Sequence, residues 1–348
     1  MKKILIYFGG FLMMFFIIPA ICTITPNKQQ AQETVSADVS NENNEQQEGT
    51  QTTTEQEYEY EYEKYKTIKL LHPETSQVEE LNIDEYLYGV VSSEMPASFE
   101  VEALKAQAVV ARTYTIYQII HNSNKHENAD MCDDFNCCQA WISKEERMAK
   151  WNTEEAESNW NKIVQAVNLT KGKIVAYDRK PINAFFHANS GGITESSLNI
   201  WGGIDYPYLK SVETAGEEGY TQYSSQVVLN QQDLLAKIQS EYKDCTIDFS
   251  KQDSIQILEY TTSGRVKTIK FGNKEIAGTE ARTLLGLKST NFTFDINDEN
   301  ITFTVTGYGH GVGMSQTGAD SLAKVGSNYE EIIKHFYTDV EIIEVNSL

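Results

Sequence analysis

The chain has 348 residues, of which 40% are hydrophobic, and its 50 acidic and 29 basic side chains give a net charge of −21. This composition is typical of a globular protein with a sizeable core, arranged as one large domain or two small ones. The acidic balance excludes nucleic-acid binding through a broad basic face, and 5 Cys are too few for a disulfide-framework scaffold.

Residues 1–26 have the features of a single-pass membrane anchor. Lys2 and Lys3 precede an uncharged apolar run from Ile4 to Ile24, which as a helix spans about 30 Å. A cleaved signal peptide is the alternative, although its apolar region would be only about 7–15 residues long. Because positive residues stay on the cytoplasmic side, we expect a cell-membrane protein with a cytoplasmic N-terminus and an extracytoplasmic remainder.

Residues 27–66 are predicted to form a disordered acidic linker. They are rich in Gln, Glu, Thr and Asn, and they contain neither Pro nor a strong apolar periodicity. Such a segment cannot bury enough apolar surface to offset the entropy lost on ordering. The Glu/Tyr alternation at 57–63 has the period of an edge strand, and a partner-binding tail is a further alternative. The folded domain is expected to span 67–348.

The pattern of residues 67–348 predicts a mixed α+β (α/β) ectodomain with an antiparallel or mixed sheet and flanking helices. Helices and strands do not alternate regularly, which excludes Rossmann and TIM-barrel folds. Strands are predicted at 67–71, 172–178, 182–187, 208–212, 255–260, 266–271, 291–296 and 301–306. Helices are predicted at 83–91, 100–121, 144–170, 231–242, 279–285, 315–324 and 328–337.

Glu94 lies between the first two predicted helices. Pro96 disfavours a helical conformation at Met95, so the first helix should end just before Met95. The second helix places Arg112 in the middle of its apolar stripe, where a guanidinium requires a carboxylate or a ligand. Glu94 is one candidate partner for Arg112, and a structural pair with another carboxylate is equally compatible with the sequence.

Three ordered blocks resemble a known family. Glu-Met-Pro-Ala-Ser-Phe at 94–99, with residues 102–108 and 111–114, resembles the signature of the stage II sporulation protein D family, which includes bacterial amidase enhancers. His-Ala-Asn-Ser-Gly-Gly at 187–192, followed by Thr194, and Pro-Tyr-Leu-Lys-Ser-Val at 207–212 are similar to a second block. Gly-His-Gly-Val-Gly-Met-Ser-Gln at 309–316 resembles the third.

The resemblance implies a membrane-anchored lytic transglycosylase that cleaves peptidoglycan glycan strands during endospore engulfment. Glu94 would be its catalytic acid. The implied partners are a sporulation amidase/endopeptidase and a polytopic membrane protein of the engulfment machinery. The alternative is a non-catalytic peptidoglycan-binding protein that enhances an amidase.

One carboxyl group is sufficient for this reaction. It protonates the leaving oxygen, and it then accepts a proton from the sugar's own 6-hydroxyl as that oxygen attacks the anomeric carbon and forms a 1,6-anhydromuramic end. Met95, Pro96 and Phe99 beside Glu94 could raise its pKa and keep it protonated. Because a nearby Arg112 would favour the anion, we expect Arg112 to contact the substrate instead.

The substrate's charge predicts local cations. A strand stripped of its stem peptides by an amidase carries a free lactyl carboxylate on each muramic acid, whereas this protein is acidic. Arg112, Lys105 and Lys210 are candidates to bind those carboxylates, with Tyr208 as a sugar platform. Ordinary strand surface is the alternative for Tyr208 and Lys210.

His187 and His310 lie in Gly-rich blocks that follow predicted strands, so we expect them to line the substrate cleft rather than to be structural histidines. The matching blocks add Ser190, Thr194 and Gln316 as expected substrate contacts. The glycine spacing from Gly307 onward does not fit a dinucleotide-binding motif.

A cysteine cluster suggests a metal site. The spacing His-x5-Cys-x5-Cys is formed by His126, Cys132 and Cys138, with Cys137 able to replace Cys138, and such ligands suit zinc. A disulfide, possible outside the cytoplasm, and free thiols are the alternatives. Glycoside cleavage does not require zinc, so a structural ion that orders the loop beside the Glu94 helix is expected.

Overall fold

The computed structural model describes residues 65–121, 125–203, 205–297 and 299–348. The predicted anchor and nearly all of the predicted linker lie outside these residues. Within them, no helix combines the length and apolar character that a membrane crossing requires.

Short strands and helices alternate irregularly along the described chain. The strands are β1 (Thr67–His72), β2 (Gln77–Asn82), β3 (Met131–Cys132), β4 (Lys173–Tyr177), β5 (Lys180–Pro181), β6 (Phe186–His187), β7 (Ser224–Asn230), β8 (Ile255–Tyr260), β9 (Val266–Phe271), β10 (Lys274–Ala277), β11 (Phe292–Ile296), β12 (Asn300–Thr306), β13 (Met314–Ser315) and β14 (Glu341–Glu344). The helices are α1 (Ile83–Glu94), α2 (Val101–His121), α3 (Lys144–Lys150), α4 (Thr153–Asn168), α5 (Ser197–Trp201), α6 (Gln231–Glu241), α7 (Gly278–Leu285), α8 (Gln316–Lys324) and α9 (Tyr329–Phe336).

The strands form several small sheets instead of one large sheet. Their orders are β2-β1-β3, β14-β4-β5, β13-β6, β10-β9-β8 and β11-β12-β7. The β1/β3 and β6/β13 pairs are parallel and the other pairs are antiparallel. This arrangement confirms the predicted mixed α+β class.

Two hydrophobic cores organise the described chain. The first surrounds α2, which is buried along most of its length and packs against α1, α4, α8, α9 and β4. The second lies between β7–β12 and helices α6 and α7. Strand β12 illustrates its construction, because Ile301, Phe303 and Val305 alternate into this core with the period of two that a strand imposes.

The end of α1 matches the prediction and positions the site. Met95 adopts an extended conformation (φ −123°, ψ 142°), as a residue before proline should, so α1 ends at Glu94. Elsewhere, the predicted helix at 144–170 is divided at Trp151, and Asn152 caps α4 by accepting from the N–H of Glu154.

Some strand predictions were wrong. Residues 208–212 are not a strand, because Tyr208 and Leu209 are buried in the first core through a turn. The prediction at 182–187 shortens to β6. The elements that were not predicted are strands β2, β3, β5, β7, β10, β13 and β14 and helix α5.

Candidate active site

A cleft of about 840 Å³ brings together the end of α1, the loop after β3, strand β6, helix α5, helix α7 and the start of α8. We refer to it as the Glu94 cleft. Its lining includes most of the sequence blocks singled out above: Ser93, Glu94, Pro96, Phe99, Tyr114, Phe135, Asn136, Cys137, Cys138, Gln139, Ala140, Phe185, Phe186, His187, Ala188, Trp201, Gln222, Arg282, Tyr308, Gly309, His310, Gln316 and Thr317.

Glu94 is held by two donors. Its Oε1 accepts from the backbone N–H of Ala140 at 2.9 Å, and its Oε2 accepts from the Gln316 side-chain amide at 3.1 Å. Burial raises the pKa of Glu94, and the two hydrogen bonds oppose that shift without cancelling it. Its place at the C-terminus of α1 also favours the neutral form, because the helix dipole disfavours negative charge there. Glu94 is thus suited to hold and deliver a proton.

His187 and His310 line the cleft side by side, with ring centroids 5.6 Å apart. His187 Nδ1 lies 3.1 Å from the Val312 carbonyl and therefore carries the proton, which leaves Nε2 as an acceptor with no partner among the described residues. His310 Nδ1 accepts from the N–H of Val312 at 3.1 Å. Burial lowers the pKa of His187 to about 3 and the pKa of His310 well below its ordinary value, so both rings are neutral.

The cleft exposes aromatic surface. Phe135, Trp201 and Tyr308 line it with relative exposures of 72%, 48% and 41%. Trp201 packs against the rings of Phe185 and His310, which fixes its orientation. Exposed, oriented aromatic faces of this kind suit the apolar faces of sugar rings. No function was predicted for Phe135 or Tyr308, because neither has a distinctive local sequence pattern.

Arg112 and Lys105, both predicted to bind substrate, are not among the residues that line the Glu94 cleft. Arg112 is fully buried and lies 3.2 Å from Asp84 Oδ1, and its guanidinium donates to the carbonyls of Thr170 (2.8 Å) and Lys173 (3.2 Å). Lys105 pairs with Glu102 at 2.8 Å on the surface of α2. Arg112 therefore connects α2 to α1, to the end of α4 and to β4. It neither pairs with Glu94 nor lines the cleft.

Tyr208 and Lys210 are also absent from the lining of the Glu94 cleft. The hydroxyl of Tyr208 accepts from the N–H of Asn183 at 2.9 Å and the ring is buried, whereas Lys210 is exposed elsewhere on the surface. Thr194 is buried and bonds the carbonyls of Lys210 and Val212. The structure thus places the side chains of Tyr208 and Thr194 inside the fold beside the cleft and that of Lys210 on the surface.

Ser190 belongs to a buried network around Glu217, which the sequence analysis missed. The Glu217 carboxylate accepts from the hydroxyls of Ser190, Thr214, Ser315 and Thr317. Burial favours the neutral acid, but these hydrogen bonds outweigh it and hold the pKa of Glu217 below its ordinary value. The network fixes the N-terminus of α8 and so orients Gln316, which lines the cleft and donates to Glu94.

The predicted metal ligands do converge. His126, Cys132 and Cys138, with Cys137 as a fourth member, offer ligand atoms that all lie within 4.8 Å of one another. His126 Nε2 is 3.2 Å from Cys138 Sγ and 3.8 Å from Cys137 Sγ. Ligands of a tetrahedral zinc ion with Zn–S bonds of about 2.3 Å are separated by roughly 3.8 Å, so the donor set fits such an ion. None of the described cysteines forms a disulfide, and Cys245 lies in the second core.

Comparisons with known proteins identify the family of the chain. A family model described as stage II sporulation protein matches residues 72–177, and a model described as a domain of unknown function matches residues 209–313. Stage II sporulation protein D of Bacillus amyloliquefaciens is 35% identical over 283 residues, covering 81% of this chain and 80% of the relative. The same protein of Bacillus subtilis (strain 168) is 35% identical over 282 residues, with the same coverage of both chains.

A more distant relative has a different name. The amidase enhancer of Bacillus subtilis (strain 168) is 32% identical over 298 residues, which cover 72% of this chain and 39% of that protein. The identity and coverage of the two closer matches establish kinship over most of the chain. The chain therefore belongs to the family of stage II sporulation protein D.

Proposed function

We propose that this chain is a peptidoglycan lytic transglycosylase that cuts the bond between N-acetylmuramic acid and N-acetylglucosamine during endospore engulfment and leaves 1,6-anhydromuramic ends. One observation carries the proposal: Glu94 is the only carboxylate among the described residues that line its cleft, and its pKa is raised. A glycoside hydrolase normally places two carboxyl groups about the scissile bond, whereas a lytic transglycosylase needs one.

The two donors to Glu94 support a role as acid and then base. Protonated Glu94 gives its proton to the glycosidic oxygen as the bond to the anomeric carbon breaks. The resulting carboxylate is stabilised by the N–H of Ala140 and the amide of Gln316. The 6-hydroxyl of the same muramic acid then attacks the anomeric carbon and returns a proton to Glu94, so the enzyme ends the cycle unchanged.

A structural zinc ion is part of the proposal. His126, Cys132 and Cys138, with Cys137 completing the set, would hold it, and the ion would supply rigidity rather than bond-breaking chemistry. The cluster ends two residues before Ala140, whose N–H bonds Glu94. Ordering this loop therefore keeps one of the two Glu94 donors in place.

The cellular setting extends the proposal. We expect residues 1–26 to anchor the chain in the cell membrane and 27–66 to tether the catalytic part on the outer side. The substrate would be glycan strands freed of stem peptides, and the expected partners are a sporulation amidase/endopeptidase and a polytopic membrane protein. The relative named amidase enhancer supports a second candidate function, a wall-binding protein that stimulates an amidase without cutting glycan.

Mass spectrometry of glycan ends tests the proposal. Purified full-length chain is incubated with peptide-free strands, alongside Glu94→Gln and the matched variant Glu155→Gln. Glu155 is exposed in a groove of about 480 Å³ that adjoins Glu94. Anhydromuramic ends from the wild type and from Glu155→Gln, with none from Glu94→Gln, support the proposal. Strand binding without cleavage by the wild type supports the amidase-enhancer alternative instead.

A further inference from the structure

Arg282 is a cation in the lining of the Glu94 cleft, and the proposed mechanism assigns it no function. It lies on α7, beside the second core, and it is partly buried in the lining of the cleft. Among the described residues, no side chain or carbonyl forms a hydrogen bond or ion pair with its guanidinium. A partly desolvated guanidinium without a partner is energetically costly, and it stays charged at any physiological pH.

The two fully buried arginines make the contrast clear. Arg112 pairs with Asp84 and backbone carbonyls. Arg265 donates to the Ser289 hydroxyl at 2.9 Å and to the carbonyls of Ser190 and Ile193. In both, the fold supplies acceptors to the terminal NH2 groups of the guanidinium, while Nε has no partner among the described residues. At Arg282 the fold leaves the guanidinium available on the cleft wall, which is the arrangement expected of a ligand-binding arginine.

The charges facing the cleft favour an anionic ligand at Arg282. Arg282 is the only Arg or Lys among the described lining residues, Glu94 is the only carboxyl group, and burial keeps His187 and His310 neutral. Lys288 adds positive potential at the same wall, since its ammonium lies 4.9 Å from the ring centroid of Tyr308. Two cations therefore lie at this wall of the cleft in a chain whose net charge is −21. An acidic polymer repelled by the rest of the protein would be attracted here.

We propose that Arg282 binds the free lactyl carboxylate of a muramic acid held in the Glu94 cleft, and that this contact selects peptide-stripped strands. The inference rests on the proposed function. Removal of a stem peptide converts the lactyl amide into a carboxylate, and the planar guanidinium recognises a carboxylate through two parallel hydrogen bonds. A lactyl group still joined to its peptide lacks the charge and one acceptor oxygen.

The test compares two forms of one substrate. Peptide-free strands are used unmodified or after conversion of their lactyl carboxylates to primary amides with carbodiimide and ammonia. The full-length wild type, Arg282→Gln and the control Arg179→Gln are assayed on both. Arg179 is exposed in the turn between β4 and β5, outside the cleft lining. Loss of a charge-assisted hydrogen bond predicts a roughly 10- to 100-fold lower kcat/KM of the wild type on amidated strands.

Arg282→Gln should show a similar loss on the unmodified strands and little further loss on the amidated ones, while Arg179→Gln should behave as the wild type does. Equal cleavage of both strand forms by the wild type would overturn the inference, as would an Arg282→Gln variant that keeps the preference for carboxylate.

A separate readout distinguishes failure of the inference from failure of the proposed function. If the wild type cleaves neither strand form, the proposed function fails, and equilibrium binding of the two forms then decides the role of Arg282. Tighter binding of the carboxylate form that disappears in Arg282→Gln supports the inference. Equal affinities of the wild type for the two forms overturn it.

Discussion

Replacement of Arg112 by Met tests whether this arginine is structural. The guanidinium is fully buried, 3.2 Å from an Asp84 carboxylate that is itself only 6% exposed, and it also donates to carbonyls at the end of α4 and on β4. Met conserves much of the side-chain volume but provides no donor. The substitution therefore removes the charge partner of a buried carboxylate and leaves buried carbonyls without their donor.

The expected cost follows from these contacts. Removing one member of a buried ion pair destabilises a protein by about 3–5 kcal/mol, because the other charge stays buried. For a domain of this size, each kcal/mol lowers Tm by roughly 2–4 °C. We therefore expect Arg112→Met to lower Tm by roughly 6–20 °C. Arg112→Lys keeps the charge but loses the planar fork, so an intermediate loss is expected.

Thermal unfolding followed by circular dichroism measures this loss in the full-length chain. Arg179→Gln, which changes an exposed arginine, serves as the control and should alter the free energy of unfolding by less than about 0.5 kcal/mol. An Arg112→Met protein with an unchanged Tm and a raised KM for peptide-free strands would refute the structural assignment. It would restore the substrate contact that the sequence predicted.

Three further predictions concern the site. Gln316→Leu removes a donor to the Glu94 anion, so the pKa of Glu94 should rise further and the alkaline limb of the kcat/KM profile should move to higher pH; an unmoved limb contradicts this. Because burial raises the pKa of Glu94, the wild type loses stability as pH rises through that pKa and the carboxyl group ionises. Glu94→Gln does not ionise, so the amount by which its Tm exceeds that of the wild type should be larger at about pH 8 than at about pH 4. Mass spectrometry of metals should find about one zinc ion per chain in the purified protein. The double variant His126→Ala/Cys132→Ser should lose the ion and have a lower Tm. A disulfide between Cys132 and Cys138 in place of the metal would refute this prediction.

Local sequence signals predicted most helices and the position of Glu94. The α1 boundary depends on Pro96 acting on Met95, and α9 begins at an Asn328 capping box, so short-range sterics and hydrogen bonds determine both. The strand expected at 208–212 failed because its apolar side chains, Tyr208 among them, enter the first core through a turn. Periodicity alone does not distinguish these two ways of burying the same residues.

The cations of the site were the least predictable feature. Arg112 was correctly placed on a buried stripe, but the sequence could not show that the Asp84 carboxylate and the carbonyls of Thr170 and Lys173 already accept from its guanidinium. Arg282 lies in a short helix whose local pattern has no catalytic motif, and only the packing of the second core brings it to the Glu94 cleft. Long-range contacts of this kind leave no signal in the spacing of neighbouring residues.

Cleavage of peptide-free strands in oxygen-18-enriched water tests the central claim most directly, namely that one carboxyl group acts as acid and then as base without a hydrolytic water. Attack by the sugar's own 6-hydroxyl predicts anhydromuramic products that carry no solvent oxygen. Products with reducing ends that contain one labelled oxygen would contradict the claim, because water would then be the nucleophile and a second group would have to activate it.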